Sequence, residues 1–308
     1  MMQNLSPEAG GHEQGPSRQA QVQRVLCVVL VLNLAVALAK LTYGTLTHSI
    51  AMRADGVASL FDTVSNVVGI VGMVVASRPA DENHPYGHAK FETYASAAIG
   101  LMLVWAAINV SRDAWAAFTG VAGSMRVDAG SYAVMLATLA VNVGVSRYER
   151  QKGAELRSEV LAADALHTMS DALVSVSVVV ALLLVQMGFA LADPICSAVV
   201  AVAILHSAWE VLRQVNRTLS DEVRIEVGLV EQVVLAVDGV RGCHRVRTRG
   251  TEAEVYLDLH VLVDPQMPIV RAHEVGERVE QAVAERFPQV VEVMVHLEPD
   301  TERERAEA

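Results

Sequence analysis

Cysteine is scarce in this chain. Cys27, Cys196 and Cys243 are the three among 308 residues, far apart and in no CxxC pair, so neither a disulfide framework nor a thiolate zinc site is indicated. An excess of positive charge is lacking too. Lysine and arginine number 24 against 35 acids, a formal net charge of −11, which argues against nucleic acid as the main partner. There is no HExxH, no GxSxG, and no Ser or Cys nucleophile with a recognisable partner. A hydrolase, including an intramembrane one working through Asp or His, is therefore disfavoured, and no enzyme activity is expected. The stretch from Met1 to Ala20 is polar, with Gly and Pro, and has no apolar run directly after a basic start. It reads as a disordered tail rather than a cleavable signal peptide.

Apolar residues, by contrast, are abundant. They make up 52% of the chain, with a mean hydropathy of +0.34, and they are crowded into long runs before about residue 215. This unevenness points to a membrane half and a soluble half. Crossing the hydrocarbon core takes roughly 20 mostly apolar residues. Six segments qualify: 25–43, 50–76, 94–117, 130–146, 160–187 and 194–215. The expected organisation is a tail over 1–20, a six-span domain over 21–215, a cytoplasmic domain over 216–300 and a charged tail over 301–308. Orientation follows the lysine and arginine bias of short loops. The loop read after span four, RYERQKGAELR, carries Arg147, Arg150, Lys152 and Arg157, whereas MGFALAD after span five carries none. Both termini are thus expected in the cytoplasm, with Arg112 and Arg126 weakening the bias without reversing it.

Spans two and five echo each other. MRADGVASLFDT aligns with LAADALHTMSDA, so that Asp55 matches Asp164, Ala58 matches His167 and Asp62 matches Asp171. An ionisable side chain at membrane depth costs roughly 2.5–3.5 kcal/mol, and packing has no use for it. His167 and Asp171 are four apart, hence on one helix face about 6 Å apart along the axis. They either hydrogen-bond each other or share a divalent ion, to which Asp62 would add a third ligand. One imidazole and two carboxylates suit zinc, iron, cobalt or manganese, and the two carboxylates neutralise the ion. Asp55 and Asp164 lie seven residues earlier, about 10.5 Å away, too far to reach the same ion. They line a water-filled approach or cap the helices.

After span two comes ASRPADENHPYGHAKFET. Asp81, His84 and His88 fall within a segment broken by Pro85 and Gly87, with Lys90 and Glu92 following. Its readings are a solvated loop capping span three, or a turn that points the three side chains at one ion.

Taken together, these motifs resemble the cation diffusion facilitator family. The resemblance runs from about Val25 to Pro299, through the SxAxxAD segment (Ser49, Ala51, Ala54, Asp55), Asp62, RPADENHPYGHAKFE and ADALHTMSD. It implies a homodimer of six-span subunits exporting a divalent metal ion in exchange for protons. It implies a membrane metal site at Asp62, His167 and Asp171 and an interfacial one at Asp81, His84 and His88. The sequence departs from the family where His or Asp usually stands, at Ala58, a gap that Ser59 or water fills; His48 replaces a smaller residue.

The remainder reads as helix, strand, strand, helix, strand. DEVRIEVGLVEQVVLAV and PIVRAHEVGERVEQAVAERF have helical periodicity, while HRVRTRG, EAEVYLDLHVLVD and VEVMVHLEP alternate as strands do. The expected fold is a membrane all-α six-helix bundle followed by a small cytoplasmic α/β domain of order αββαβ, metallochaperone-like and dimerising by the resemblance, with helices on one face of a mixed sheet. The resemblance also places His244, His273, His296 and Glu298 near a regulatory metal site, with His260 read as an accessory histidine on the sheet edge. Imidazole ligation there weakens in acid.

The function expected is proton-coupled efflux of a divalent transition metal, zinc favoured, with iron, cobalt or manganese close behind. No cofactor is permanently bound, the metal being both substrate and regulator. The partners are the metal ion, protons, the lipid bilayer and a second copy of the chain, in a bacterial-type inner or intracellular membrane. The alternative is a non-transporting relative, a scaffold or heterodimer partner, in which Ala58 has cost the site its activity.

Overall fold

The computed structural model describes residues 17–46, 50–119, 129–187, 189, 192–302 and 304. Six long helices come first: α1 (Arg18–Leu46), α2 (Ile50–Ala76), α3 (Lys90–Phe118), α4 (Ala129–Leu156), α5 (Glu159–Gln186) and α6 (Ala192–Leu219). The shortest has 27 residues and the longest 29, about 40 Å at 1.5 Å per residue, which exceeds the hydrocarbon thickness of about 30 Å. Among the described residues, Arg18–Tyr43, Lys90–Ala116 and Ile195–Leu219 are long and apolar enough to cross a membrane by themselves. α2 and α5 carry acids in their middles, and α4 ends in a charged segment.

The helices pair α1 with α2, α3 with α6 and α4 with α5. Leu26, Met73, Ile99, Leu103, Leu161 and Ile204 fill the space between them. Large apolar side chains such as Leu38, Leu101, Trp105, Val202 and Trp209 face outward, which suits hydrocarbon rather than water. α2 and α3 approach so closely at Gly72 that a Cβ there would stand 2.3 Å from the Ala95 Cβ. At one end, Arg18 donates to the Leu156 carbonyl at 2.6 Å and to Glu92 at 2.9 Å, tying the start of α1 to α3 and to the end of α4.

Several boundaries differ from the sequence reading. α1 starts at Arg18, inside the stretch read as a tail, and α6 runs on to Leu219. The segment RYERQKGAEL is not a loop but the last turns of α4. It is rich in good helix formers, and Glu149 within it is fully buried. Only Arg157, at φ 47, and Ser158 separate α4 from α5. The helix expected from Asp221 begins instead at Val227 (α7, Val227–Leu235). Asp221 has φ 53, and the backbone after it is tied to the sheet: Arg224 donates its N–H to Thr248 Oγ1 at 2.8 Å and its Nε–H to the Gly250 carbonyl at 3.0 Å.

The C-terminal part continues with β1 (Gly242–Gly250), β2 (Val255–Val263), α8 (Ile269–Arg286) and β3 (Val290–Pro299). The strands form one sheet in the order β1-β2-β3, with β1 antiparallel and β3 parallel to β2. The parallel pair follows from the crossover through α8, which opens after Pro268. Alternate residues of β2 (Val255, Leu257, Leu259, Val261, Val263) pack against Val230 and Val234 of α7 and Val275, Val279 and Val283 of α8. This core is separate from the one in the helical bundle. Gly250 closes the hairpin at φ +110, where a Cβ would lie 2.3 Å from the Glu254 carbonyl oxygen.

Candidate functional site

In the bundle, α5 places His167 and Asp171 on one face, with His167 Nε2 4.0 Å from Asp171 Oδ2. His167 is buried, and neither ring nitrogen has a hydrogen-bond partner among the described residues. An imidazole out of water without a partner forfeits hydrogen bonds worth about 1–3 kcal/mol, so the arrangement serves something other than packing. Asp171 lines a cavity of about 20 Å³ with Asn33 and Val36 of α1, Ser59 of α2, Asn142 of α4 and Thr168 of α5. That is room for roughly one water molecule. Asp55, Ala58 and Asp62 belong to α2, but their side chains lie outside the described ones, as does the whole of His48.

Asp164 corrects the sequence reading. It is fully buried, accepts a hydrogen bond from the Asn66 amide and stands beside Glu149. It therefore sits inside the bundle rather than on a water-filled approach or at a helix end. Asn33 donates to Asn66 Oδ1 at 2.8 Å, and Thr168 to Glu149 Oε2 at 3.2 Å, so this buried polar cluster adjoins the cavity. Sequence reasoning missed Glu149 because it falls in the stretch taken for a loop.

Between α2 and α3 the chain turns sharply, with Gly87 at φ 79. Asp81 Oδ1 accepts the backbone N–H of His84 at 2.7 Å and of Asn83 at 2.9 Å. These bonds, the one from His84 foremost, hold the Asp81 carboxyl below the usual range despite slight desolvation. The carboxylate meets His84 Nδ1 at 3.2 Å and His88 Nε2 at 3.4 Å. His88 Nδ1 lies 3.1 Å from the Pro79 carbonyl oxygen, to which an N–H there donates, and Nε2 is the nitrogen that faces Asp81. One ligand atom from each of Asp81, His84 and His88 lies within 4.8 Å of the others, so the turn can hold one ion.

In the sheet, a histidine row emerges from strand register. His244 pairs with His260 across β1 and β2, and His260 with His296 across β2 and β3. Glu298, two residues after His296, shares its face. Glu298 Oε2 is 2.8 Å from His244 Nε2, and Oε1 is 2.8 Å from His260 Nδ1 and 3.5 Å from His296 Nε2. Burial raises the Glu298 pKa, but the hydrogen bonds with His244 and His260 outweigh it and hold the carboxyl below its ordinary range. His244, His260 and Glu298 form a set able to hold a metal. His260, read as an accessory histidine on the sheet edge, is on the central strand and belongs to the cluster. His273 lies on α8, exposed and 3.4 Å from Glu277, and is not one of the three residues gathered within this chain. Cys243 adjoins His244, but burial pushes its thiol up to about 11, so it offers no thiolate at neutral pH.

The turn and the sheet touch. Arg249 of β1 stacks over the Tyr86 ring at 4.5 Å, and Tyr256 of β2 donates its hydroxyl to the Tyr86 carbonyl at 2.9 Å. Lys90, at the start of α3, reaches Asp221 at 3.3 Å.

The cation efflux transmembrane domain matches residues 26–220, and the cytoplasmic domain of cation efflux proteins matches residues 223–300. The chain belongs to the cation efflux, or cation diffusion facilitator, family. It is therefore an integral membrane protein of a transporter family, not an enzyme. An uncharacterized transporter of Methanocaldococcus jannaschii is 32% identical, covering 90% of this chain and 98% of its own. Metal tolerance protein C1 of Arabidopsis thaliana is 30% identical over 94% of this chain, which spans 64% of that longer protein. A manganese efflux system protein, MneS of Bacillus subtilis, is 26% identical over 88% of this chain and 93% of its own.

Proposed function

We propose that this cation efflux protein exports a divalent transition-metal ion from the cytoplasm in exchange for protons, as a homodimer with cytoplasmic termini. The observation that carries this reading is the buried imidazole of His167, without a hydrogen-bond partner among the described residues and 4.0 Å from the Asp171 carboxylate, on a helix that touches the one bearing Asp62. Metal and proton compete for the same imidazole and carboxylates, so binding one releases the other. Zinc is the favoured cargo for such a donor set. Iron, cobalt and manganese fit as well, and a relative is named for manganese efflux. The turn holding Asp81, His84 and His88 gathers ions at the cytoplasmic surface. The row of His244, His260, His296 and Glu298 binds metal as regulator. The basic last turns of α4, with Arg147, Arg150 and Lys152, support the cytoplasmic placement of that end.

Purified protein in vesicles carrying a proton gradient tests the reading. Metal should move against the protons in the parent, and Asp171→Asn should abolish flux without loss of folded protein. Unimpaired flux in Asp171→Asn would remove the site. Absence of flux in the parent with every tested metal would leave the scaffold reading.

A further inference from the structure

The membrane half contains a cation that the reaction does not call for. Lys40 is only 5% exposed, in the last two turns of α1, where its sequence neighbours are mostly apolar. A lysine near a membrane helix end ordinarily snorkels to the interface. This one instead turns into the bundle and donates from Nζ to Ser59 Oγ at 2.9 Å. Ser59 lines the same small cavity as Asp171. On α2 it follows Ala58 and precedes Asp62 by three residues, which puts the Ser59 and Asp62 positions on one helix face. A positive charge is thus anchored at the position next to the one where the family's fourth metal ligand is replaced by Ala58.

We propose that Lys40 is a tethered cation of the transport site: its ammonium balances the site's carboxylates between loads and competes with the arriving metal ion. A site of one imidazole and two carboxylates carries excess negative charge when no metal is bound, and low-dielectric surroundings make that costly. An ammonium held beside Ser59 offsets it. When a divalent ion arrives, the same ammonium repels it. Lys40 therefore weakens metal binding and hastens release, and it sets affinity without being a ligand. Its partner Ser59 of α2 shares the wall of the cavity with Asp171 of α5. This inference rests on the transport-site reading above.

The test measures equilibrium binding of zinc and of manganese to the purified full-length protein, isolating the component that Asp171→Asn removes. Lys40→Met and Lys40→Gln delete the charge, Gln keeping a donor for Ser59. Lys40→Arg keeps the charge. Ser59→Ala removes the hydrogen bond alone. Both charge-deleting variants should tighten that component by at least about tenfold, the scale of charge repulsion across a few ångströms of protein, with Lys40→Arg near the parent and Ser59→Ala between them. In vesicles the same two variants should lower KM and also lower kcat, because release becomes slow. A purely structural lysine would instead lower kcat with KM unchanged or raised. Unchanged or weaker binding in both Met and Gln variants overturns the proposal. If one variant misfolds, the other decides. If Asp171→Asn removes no binding component at all, the transport-site reading itself has failed, a result distinct from failure of the Lys40 proposal.

Discussion

His167 shows what one side chain can state about a site. Among the described residues neither nitrogen of this buried imidazole has a hydrogen-bond partner, which the wall of a binding site explains and packing does not. In the other repeat Ala58 occupies the position matching His167, where the family usually has His or Asp. Ala58→His should therefore tighten zinc binding and narrow the range of metals carried, since a fourth protein ligand completes a tetrahedron. Ala58→Asp should move the pH dependence of transport upward by adding a like charge. Competition assays in reconstituted vesicles check both, and identical metal preference and pH profile in both variants would show that position 58 does not face the ion. His167 and Asp171 were legible from their spacing and from the cost of charge at membrane depth. Asn33, Asn66 and Glu149 were not. Amides carry no charge to mark them, and Glu149 is one acid in a stretch whose polarity imitates a loop.

Among the elements, the three-stranded sheet separates what patterning can and cannot reveal. Alternation identified β1, β2 and β3, but it cannot say which strand lies in the middle or how strands align. Register is a pairwise property, and it is register that brings His244, His260 and His296 into line. His260→Ala should weaken metal binding by the C-terminal domain by at least about 10–100-fold, the usual loss when even an outer-shell partner of a metal ligand is removed, whereas His273→Ala should have the smaller effect. Calorimetry on the purified protein distinguishes these, and the reverse order would put His273 in the site ahead of His260. Acid has two effects here. Protonation of ligating imidazoles releases metal. Glu298, whose folded pKa is depressed, contributes stability above its unfolded pKa, and that contribution is lost as pH falls through the folded value. The hairpin depends on Gly250 in a different way. Gly250→Ala meets both a positive φ and the Glu254 carbonyl, and should cost on the order of 1–3 kcal/mol, read as a lower denaturation midpoint of the C-terminal domain. A midpoint equal to the parent's would mean that the turn relaxes freely.

For the molecule as a whole, antiport predicts that metal binding releases protons. Titrations in buffers of differing ionisation enthalpy should give apparent enthalpies that scale with the buffer's. Enthalpies independent of buffer would end the exchange mechanism while leaving metal binding intact. The division into a lipid-facing bundle and a water-facing sheet domain was legible at this scale because hydropathy is so unevenly distributed. The contacts joining them were not, since Tyr86, Arg249 and Tyr256 are far apart in sequence and none is unusual alone. Their meeting has a thermodynamic corollary. The turn that carries Asp81, His84 and His88 is clasped by the sheet through Arg249 and Tyr256, so occupancy of the turn and docking of the sheet share one free-energy cycle. Whatever factor docking adds to the turn's grip on its ion, the ion must return to docking. A tenfold gain on one side is about 1.4 kcal/mol on the other, and a partner that prises the sheet away loosens the ion by the same factor.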